Sequence, residues 1–147
     1  MKKIILTSLI SLFMVSGCSQ IKGVFDPNKI VQYSNEISLG TKYVVKFALK
    51  NQDLTVEQLG QVKHFLVVAQ SVIDLEHQVD FSDLNQRMVT NIQDPKIQSL
   101  VAFVLTNVEK YVNSYNLNLS ERDINVIKIT QAALSGAIDA VDELLET

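Results

Sequence analysis

The 147-residue sequence contains few of the residues on which several classes of function depend. Its single cysteine excludes a disulfide within the chain and a cysteine-based zinc site. The two histidines form no HExxH pattern, and the glycines form no phosphate-binding loop. Two prolines and five glycines are also too few for a long disordered region. Stability must therefore come from the packing of apolar side chains, which make up 47% of the sequence.

Positive charge is in the minority and is not clustered. The chain has 13 lysines and arginines against 16 aspartates and glutamates, for a formal net charge of −3. Nucleic acids and anionic lipid head groups are bound by clustered basic side chains. We therefore expect no nucleic-acid partner and no site for acidic head groups.

One sustained apolar run lies at the N terminus of the chain. Lys2 and Lys3 precede Ile4–Val15, and a positive start followed by about a dozen mostly apolar residues is typical of an export signal. A membrane-spanning helix needs about twenty such residues, so the run is too short to be a stable span. We expect residues 1–17 to be removed rather than to fold.

The residues that follow this run, Val15-Ser16-Gly17-Cys18, resemble the lipobox of bacterial lipoprotein precursors. The resemblance covers residues 1–18 and the sorting residue Ser19. It implies a diacylglyceryl group on the Cys18 thiol, cleavage before Cys18, N-acylation with a fatty chain such as palmitate, and no further cofactor. Two or more such chains hold a protein on a bilayer almost permanently. Ser19 implies the inner leaflet of the outer membrane, facing the periplasm; an ordinary secretory signal with a free thiol is the alternative.

The remainder of the chain is long enough for one domain with its own core. Loss of Lys2 and Lys3 makes the formal charge −5 instead of −3. Residues 18–28 include the turn-like Asp26-Pro27-Asn28 and are predicted to form a lipidated tether. Residues 29–147 are predicted to form the folded domain.

Apolar residues recur at the spacing of amphipathic helices through this domain. Thr55 with Gln58 forms a capping-box pair, Asp94-Pro95 is typical of a helix start, and Ser120 with Asp123 predicts another cap. The predicted fold is all-α, an antiparallel bundle of four long helices and one short helix. The predicted helices span residues 29–51, 55–79, 82–92, 95–114 and 121–145.

The first predicted helix has an apolar face and a basic one. Its apolar residues include Tyr43 and Phe47, which are expected to face the core. Three lysines, each four residues from the next, are expected on the opposite side, either as a solvated face or as a site for an acidic partner. They are Lys42, Lys46 and Lys50.

The last predicted helix carries a ribbon of small residues, Ala132, Gly136 and Ala140. Small side chains every four residues line one side of a helix and allow a second backbone to approach closely. The ribbon therefore predicts close helix packing within the chain, with self-association into a homodimer through the same ribbon as the alternative.

The residues that commonly perform catalysis do not form a recognisable site. His64 and His77 lie several turns apart on one predicted helix and cannot share a metal there. No serine elbow is present, and the acidic groups lack the glycine-centred calcium loop, so they are expected to be solvated. These groups are Asp74, Glu76 and Asp80, and Asp139, Asp142, Glu143 and Glu146. We expect neither an enzyme nor a metal site.

The expected function is therefore binding. Tyr111 and Tyr115 lie one turn apart beside an asparagine-rich loop, and amphipathic aromatics suit a protein interface, although ordinary helix-end packing is an alternative. The chain is similar in general type to pilotins and to phage-encoded lipoproteins that exclude other phages or assist lysis, which implies binding of another envelope protein. The alternative is a periplasmic carrier or sensor with an apolar pocket near Phe65 and Phe103.

Overall fold

A computed structural model describes residues 26–114 and 123–147, and the protein is all-helical within these residues. The predicted all-α class is confirmed. A 3₁₀ turn, Pro27–Lys29, leads into the first of five α-helices. The helices are α1 (Ile30–Lys50), α2 (Val56–Glu76), α3 (Phe81–Asn91), α4 (Pro95–Ser114) and α5 (Ile124–Leu145).

Short polar side chains cap the starts of α2, α3 and α5, whereas α1 has no side-chain cap. Thr55 and Gln58 form the predicted capping box before α2. Helix α5 begins at Ile124, three residues after the predicted start, because Asp123 is its N-cap and accepts a hydrogen bond from the backbone N–H of Asn125. Asp80, a cap that was not predicted, precedes α3, and its side chain accepts a hydrogen bond from the backbone N–H of Asp83. Helix α2 ends at Glu76, three residues before the predicted end, because His77 adopts the left-handed conformation with φ 49°.

Helices α1 and α5 run in the same direction and approach each other very closely. Ser38 of α1 lies against Gly136 of α5, and one to two turns further along both helices Lys42 pairs with Glu143. A Cβ atom added to Gly136 would lie 2.7 Å from the Ser38 carbonyl carbon and closer still to its oxygen. Gly136 of the small-residue ribbon therefore allows close helix packing within the chain, as predicted.

Helix α2 runs in the opposite direction to α5. Lys63, near the start of α2, pairs with Asp142 near the end of α5, whereas Gln70 donates to the hydroxyl of Ser135 one to two turns earlier on α5. Helix α5 also packs against α4, and the short α3 packs mainly on α4. Three of the four other helices thus surround α5, so it is the central element.

Helix α1 is rotated relative to its predicted orientation. Its buried side chains are Ile37, Thr41, Val45, Ala48 and Leu49. Tyr43 and Phe47, which were predicted to face the core, are 63% and 51% exposed. Lys42 and Lys46 do not form a solvated stripe, because both pair with Glu143 of α5. Burial of Ile37, Val45 and Leu49 against the other helices leaves the aromatic side of α1 in solvent and places the two lysines beside Glu143.

Candidate functional site

A groove with a volume of about 910 Å³ lies between α2 and α3. Its floor consists of the buried apolar side chains of Phe65, Ala69, Leu84 and Ile92. Along α2 its wall follows one helix face, since the wall residues are spaced three or four apart. These wall residues are Glu57, Gly60, Gln61, His64, Val68 and Val72.

The groove exists because α3 packs on α4 and leaves one side of α2 uncovered. At Gly60 no atom lies within 4 Å of an added Cβ, so that position opens directly into the groove. Val68 is 39% exposed in the groove wall. An apolar floor beside exposed polar residues is an arrangement that binds amphipathic ligands.

One part of the groove rim is fixed by Arg87 of α3. Its guanidinium donates to Asp83 at 2.5 Å and to Glu76 at the end of α2 at 2.8 Å. The hydrogen bond to Asp83, followed by the attraction of both carboxylates, raises the pKa of Arg87 above its ordinary value. The contact with Glu76 joins α3 to the end of α2 at this part of the rim.

Asp94 marks the other part of the rim, where α2 begins beside the start of α4. Its carboxylate accepts from the backbone N–H of Lys96 at 2.8 Å and from the side chain of Gln58 at 3.3 Å. The hydrogen bond from Lys96, with that from Gln58, lowers the pKa of Asp94 below its ordinary value. Asp94 and the nearby Glu57 give this end of the groove negative charge.

The structure separates the histidine and acidic side chains that were considered for a catalytic site. His64 lies in the groove wall, whereas His77 ends α2 outside it. Of the neighbouring acidic residues, Asp74 accepts from Gln131 and Asp80 caps α3. Within residues 26–114 and 123–147, no three histidine, cysteine or acidic side chains are placed to hold a metal ion.

Two of the four acidic residues at the end of α5, Asp142 and Glu143, belong to ion pairs, whereas Asp139 and Glu146 are exposed as predicted. Lys42 and Lys46 each approach Glu143 to 2.5 Å, and Lys63 approaches Asp142 to 2.6 Å. The hydrogen bonds from Lys42 and Lys46 lower the pKa of Glu143 to about 2. The same contact raises the pKa of Lys42. These charges join α5 to α1 and α2.

The predicted aromatic patch is only partly described. Tyr111 is half-buried, and its hydroxyl would lie 3.4 Å from a Cβ on Gly40 of α1. The ring therefore packs at the α1–α4 contact, as the helix-end alternative expects. Tyr115 lies outside the described residues, as does the lipidation residue Cys18, so both assignments stay predictions.

The structure also shows where the small-residue ribbon and the two aromatics of the predicted pocket lie. Gly136 and Ala140 are buried within the chain, so a homodimer through this ribbon would require α1 to move away from α5. Phe65 lies in the groove floor, whereas Phe103 packs partly against the core away from the groove. Of the two aromatics, Phe65 therefore lines the groove and Phe103 does not.

The sequence does not predict the exposed apolar stripe on α1, and it anticipates the groove only at Phe65, in the alternative of an apolar pocket. The stripe consists of Leu39, Tyr43 and Phe47. A signal for the groove was present in Gly60, a glycine within an otherwise regular helix pattern, which often marks a close approach or an opening. Periodicity could not identify the stripe, because apolar residues occur on more than one side of α1.

Comparison with known proteins gives no relative: no family model, no curated protein and no solved structure matches the chain. Among the helices of the described residues, none is both long enough and apolar enough to cross a membrane.

Proposed function

We propose that this protein is a lipid-anchored, non-enzymatic protein of the bacterial cell envelope that binds an amphipathic helix of another envelope protein in the α2–α3 groove. The observation that carries the binding role is the open groove with an apolar floor. The anchor is supported by Val15-Ser16-Gly17-Cys18 and the apolar run before it. Ser19 supports retention at the periplasmic face of the outer membrane. Pilotin-like and phage-encoded exclusion or lysis roles belong to this class.

The dimensions of the groove favour a helix as the bound segment. From Glu57 to Val72 the wall of α2 is about 22 Å long at 1.5 Å per residue, which matches about four turns of a second helix. An amphipathic helix would place its apolar side on Phe65, Ala69 and Leu84 and its polar side in solvent. The negative end formed by Glu57 and Asp94 favours a lysine or arginine at the matching end of the partner.

The same groove supports the alternative function, a carrier or sensor of an apolar small molecule. Its volume falls within the range of small-molecule sites, about 300–1,000 Å³. Such sites cover most of the ligand surface, however, and here Val68 and Gly60 leave the side of α2 open. A partner helix, which keeps its polar side in water, therefore fits the groove better than a fully apolar molecule.

We further propose that the five helices form one bundle in which α2 and α4 run opposite to α1 and α5. The proposal is supported by the antiparallel contacts of α2 with α5, and by Lys96 of α4 donating to the carbonyl of Asp53 after α1. The bundle fixes the groove on the side of α2 that faces away from α5.

Photo-cross-linking in cells tests the groove. A photoreactive amino acid in place of His64 should capture one envelope protein, and Gly60→Leu should reduce the yield at least fivefold by filling the groove from a position where an added Cβ meets no atom within 4 Å. The control position is Thr106, an exposed residue of α4 that lies outside the groove. Equal capture from Thr106, or capture unaffected by Gly60→Leu, would reject the groove as the binding site.

Native mass spectrometry of the detergent-solubilised full chain separates the two functions. A bound lipid that Gly60→Leu removes, together with no protein adduct from position 64, would favour the carrier. An adduct to a protein without a bound lipid favours the partner-binding role.

Replacement of Cys18 tests the anchor separately. Cys18→Ala should abolish incorporation of labelled fatty acid and move the protein from the membrane fraction to the soluble fraction, because no acyl chain is then attached. Retention of Cys18→Ala in membranes at the wild-type level would contradict the lipid anchor.

A further inference from the structure

We infer that a second copy of this chain covers the exposed side of α1, with the two α1 helices antiparallel and Tyr43 at the two-fold axis. The groove is not involved. The inference depends on the apolar stripe of Leu39, Tyr43 and Phe47 and on the two charged residues at its ends. It goes beyond the proposed binding of another envelope protein.

The stripe is a continuous apolar surface on one side of α1. Leu39, Tyr43 and Phe47 are 53%, 63% and 51% exposed and are spaced by four residues, so they are neighbours along the helix. No other described helix has three large apolar side chains exposed at this spacing. Scattered single exposures are ordinary on protein surfaces, but a contiguous apolar strip marks an interaction site.

The pattern of the stripe is self-complementary under a two-fold rotation. Leu39 lies four residues before Tyr43 and Phe47 four residues after it, so antiparallel pairing centred on Tyr43 places each Leu39 opposite the partner's Phe47. A two-fold interface requires this reciprocity, because residue i must meet residue j while j meets i.

Charges at the two ends of the stripe have the same symmetry. Glu36 lies seven residues before Tyr43 and Lys50 seven residues after it, and both are exposed on the same side of α1. Antiparallel pairing therefore brings Glu36 of one copy to Lys50 of the other at both ends of the contact. Parallel pairing would instead place like charges together, which is unfavourable.

The remaining contacts of α1 leave this side available. Lys42 and Lys46 point to Glu143 of α5, and the close contact of Ser38 with Gly136 holds the opposite side of the helix. Glu36 accepts a hydrogen bond from Gln32 at 2.8 Å on the same exposed side, which keeps its carboxylate in position. The surface is therefore formed before dimerisation.

The interface is small, and confinement to a membrane compensates for its size. Three apolar side chains per copy cover less than the roughly 800 Å² per partner of a standard interface, so we expect weak association in dilute solution. Two acylated copies on one bilayer encounter each other at a much higher effective concentration. With the two-fold axis normal to the bilayer, both copies present their tethers to the same membrane. Each tether can span at most about 30 Å from residue 18 to Asp26.

Oxidative cross-linking of the full-length protein in intact cells tests the pairing. Tyr43→Cys should give a disulfide-linked dimer, because two cysteines at the axis face each other. The matched control is Val31→Cys, on the same helix and 70% exposed but on a different side, which should give at least tenfold less dimer. Equal dimer from both variants, or an adduct of Tyr43→Cys with a different protein only, would overturn the proposal.

The direction of pairing has its own test. Cells that produce both Leu39→Cys and Phe47→Cys chains, carrying different epitope tags, should form the mixed dimer, whereas Leu39→Cys alone should not. A Leu39→Cys homodimer in excess of the mixed one would show parallel pairing and overturn the proposal.

Charge reversal adds a rescue experiment. In the Tyr43→Cys chain, Glu36→Lys or Lys50→Glu alone should reduce dimer at least threefold, and the two together should restore it, since the attraction is re-formed with opposite signs. Failure of the double reversal to restore dimer contradicts the Glu36–Lys50 contact.

The wild-type chain tests acylation of Cys18 independently. Because Cys18 is its only cysteine, a disulfide-linked wild-type dimer would show that this thiol is not acylated.

Discussion

The contact between α1 and α5 and the groove between α2 and α3 show two different uses of glycine in one small protein. At Gly136 the backbone of α1 occupies the space that a side chain would need. At Gly60 no atom lies within 4 Å of an added Cβ. The first glycine allows two helices to pack closely, whereas the second keeps a surface open. Neighbouring atoms, rather than residue type, determine the role of each position.

The largest expected effect is that of Gly136→Ala. The new methyl group would overlap the Ser38 backbone, and a packed backbone cannot move as easily as the end of a flexible side chain. We expect a loss of about 3 kcal/mol in the free energy of unfolding. Urea unfolding followed by circular dichroism measures this quantity.

Gly60→Ala is the matched control for this substitution. It adds the same methyl group to a helix interior but into open space, so it should stabilise the protein by about 0.5–1 kcal/mol. Equal destabilisation by the two substitutions would contradict the distinction between the packed contact and the open groove.

A smaller effect is expected at Thr41, on the buried side of α1. Its side chain is 1% exposed, and its hydroxyl has no hydrogen-bond partner. Thr41→Val removes this unsatisfied group and should raise the free energy of unfolding by about 1 kcal/mol. The control is Thr130→Val, because the buried hydroxyl of Thr130 donates to the carbonyl of Val126 at 2.8 Å. This control should give no gain, and a gain of similar size would refute the assignment to the unpaired hydroxyl.

The smallest effect concerns the pH dependence of the α1–α5 contact. Because Lys42 and Lys46 lower the pKa of Glu143 to about 2 from an ordinary value of 4.5, the folded state binds a proton there less readily than the unfolded state. This contribution to stability is complete above about pH 4.5 and is lost as the pH falls towards 2. Glu143→Gln should therefore lower the urea midpoint at pH 7 but have little effect near pH 2.

High salt should reduce the effect of Glu143→Gln, since the pair is partly exposed. The control is Glu146→Gln, because Glu146 is exposed and lies three residues after Glu143. It should leave the urea midpoint unchanged at both pH values. An effect of Glu143→Gln that is constant from pH 7 to pH 2 would contradict the ion pair.

Most helix boundaries could be predicted, because the signals that fix them are local. The capping box of Thr55 and Gln58 depends on residues three apart, and Pro95 begins α4 where its missing N–H has no cost. The candidate site could be predicted only in fragments. Phe65 was expected beside a cavity, but the position of α3, which forms the other wall, depends on its packing against α4.

The sequence by itself determined that the described chain is helical, where most of its helices begin and end, and which N-terminal residues resemble a lipoprotein signal. Each of these depends on residues within a few turns of one another. Only the tertiary structure decided which side of α1 is buried, because α1 packs on α5, nearly one hundred residues away in the sequence, where Ser38 lies against Gly136 and Lys46 pairs with Glu143. The same long-range packing places Gly136 against the backbone of α1 and leaves Gly60 open to the groove. The burial of a residue depends on which distant parts of the chain pack beside it.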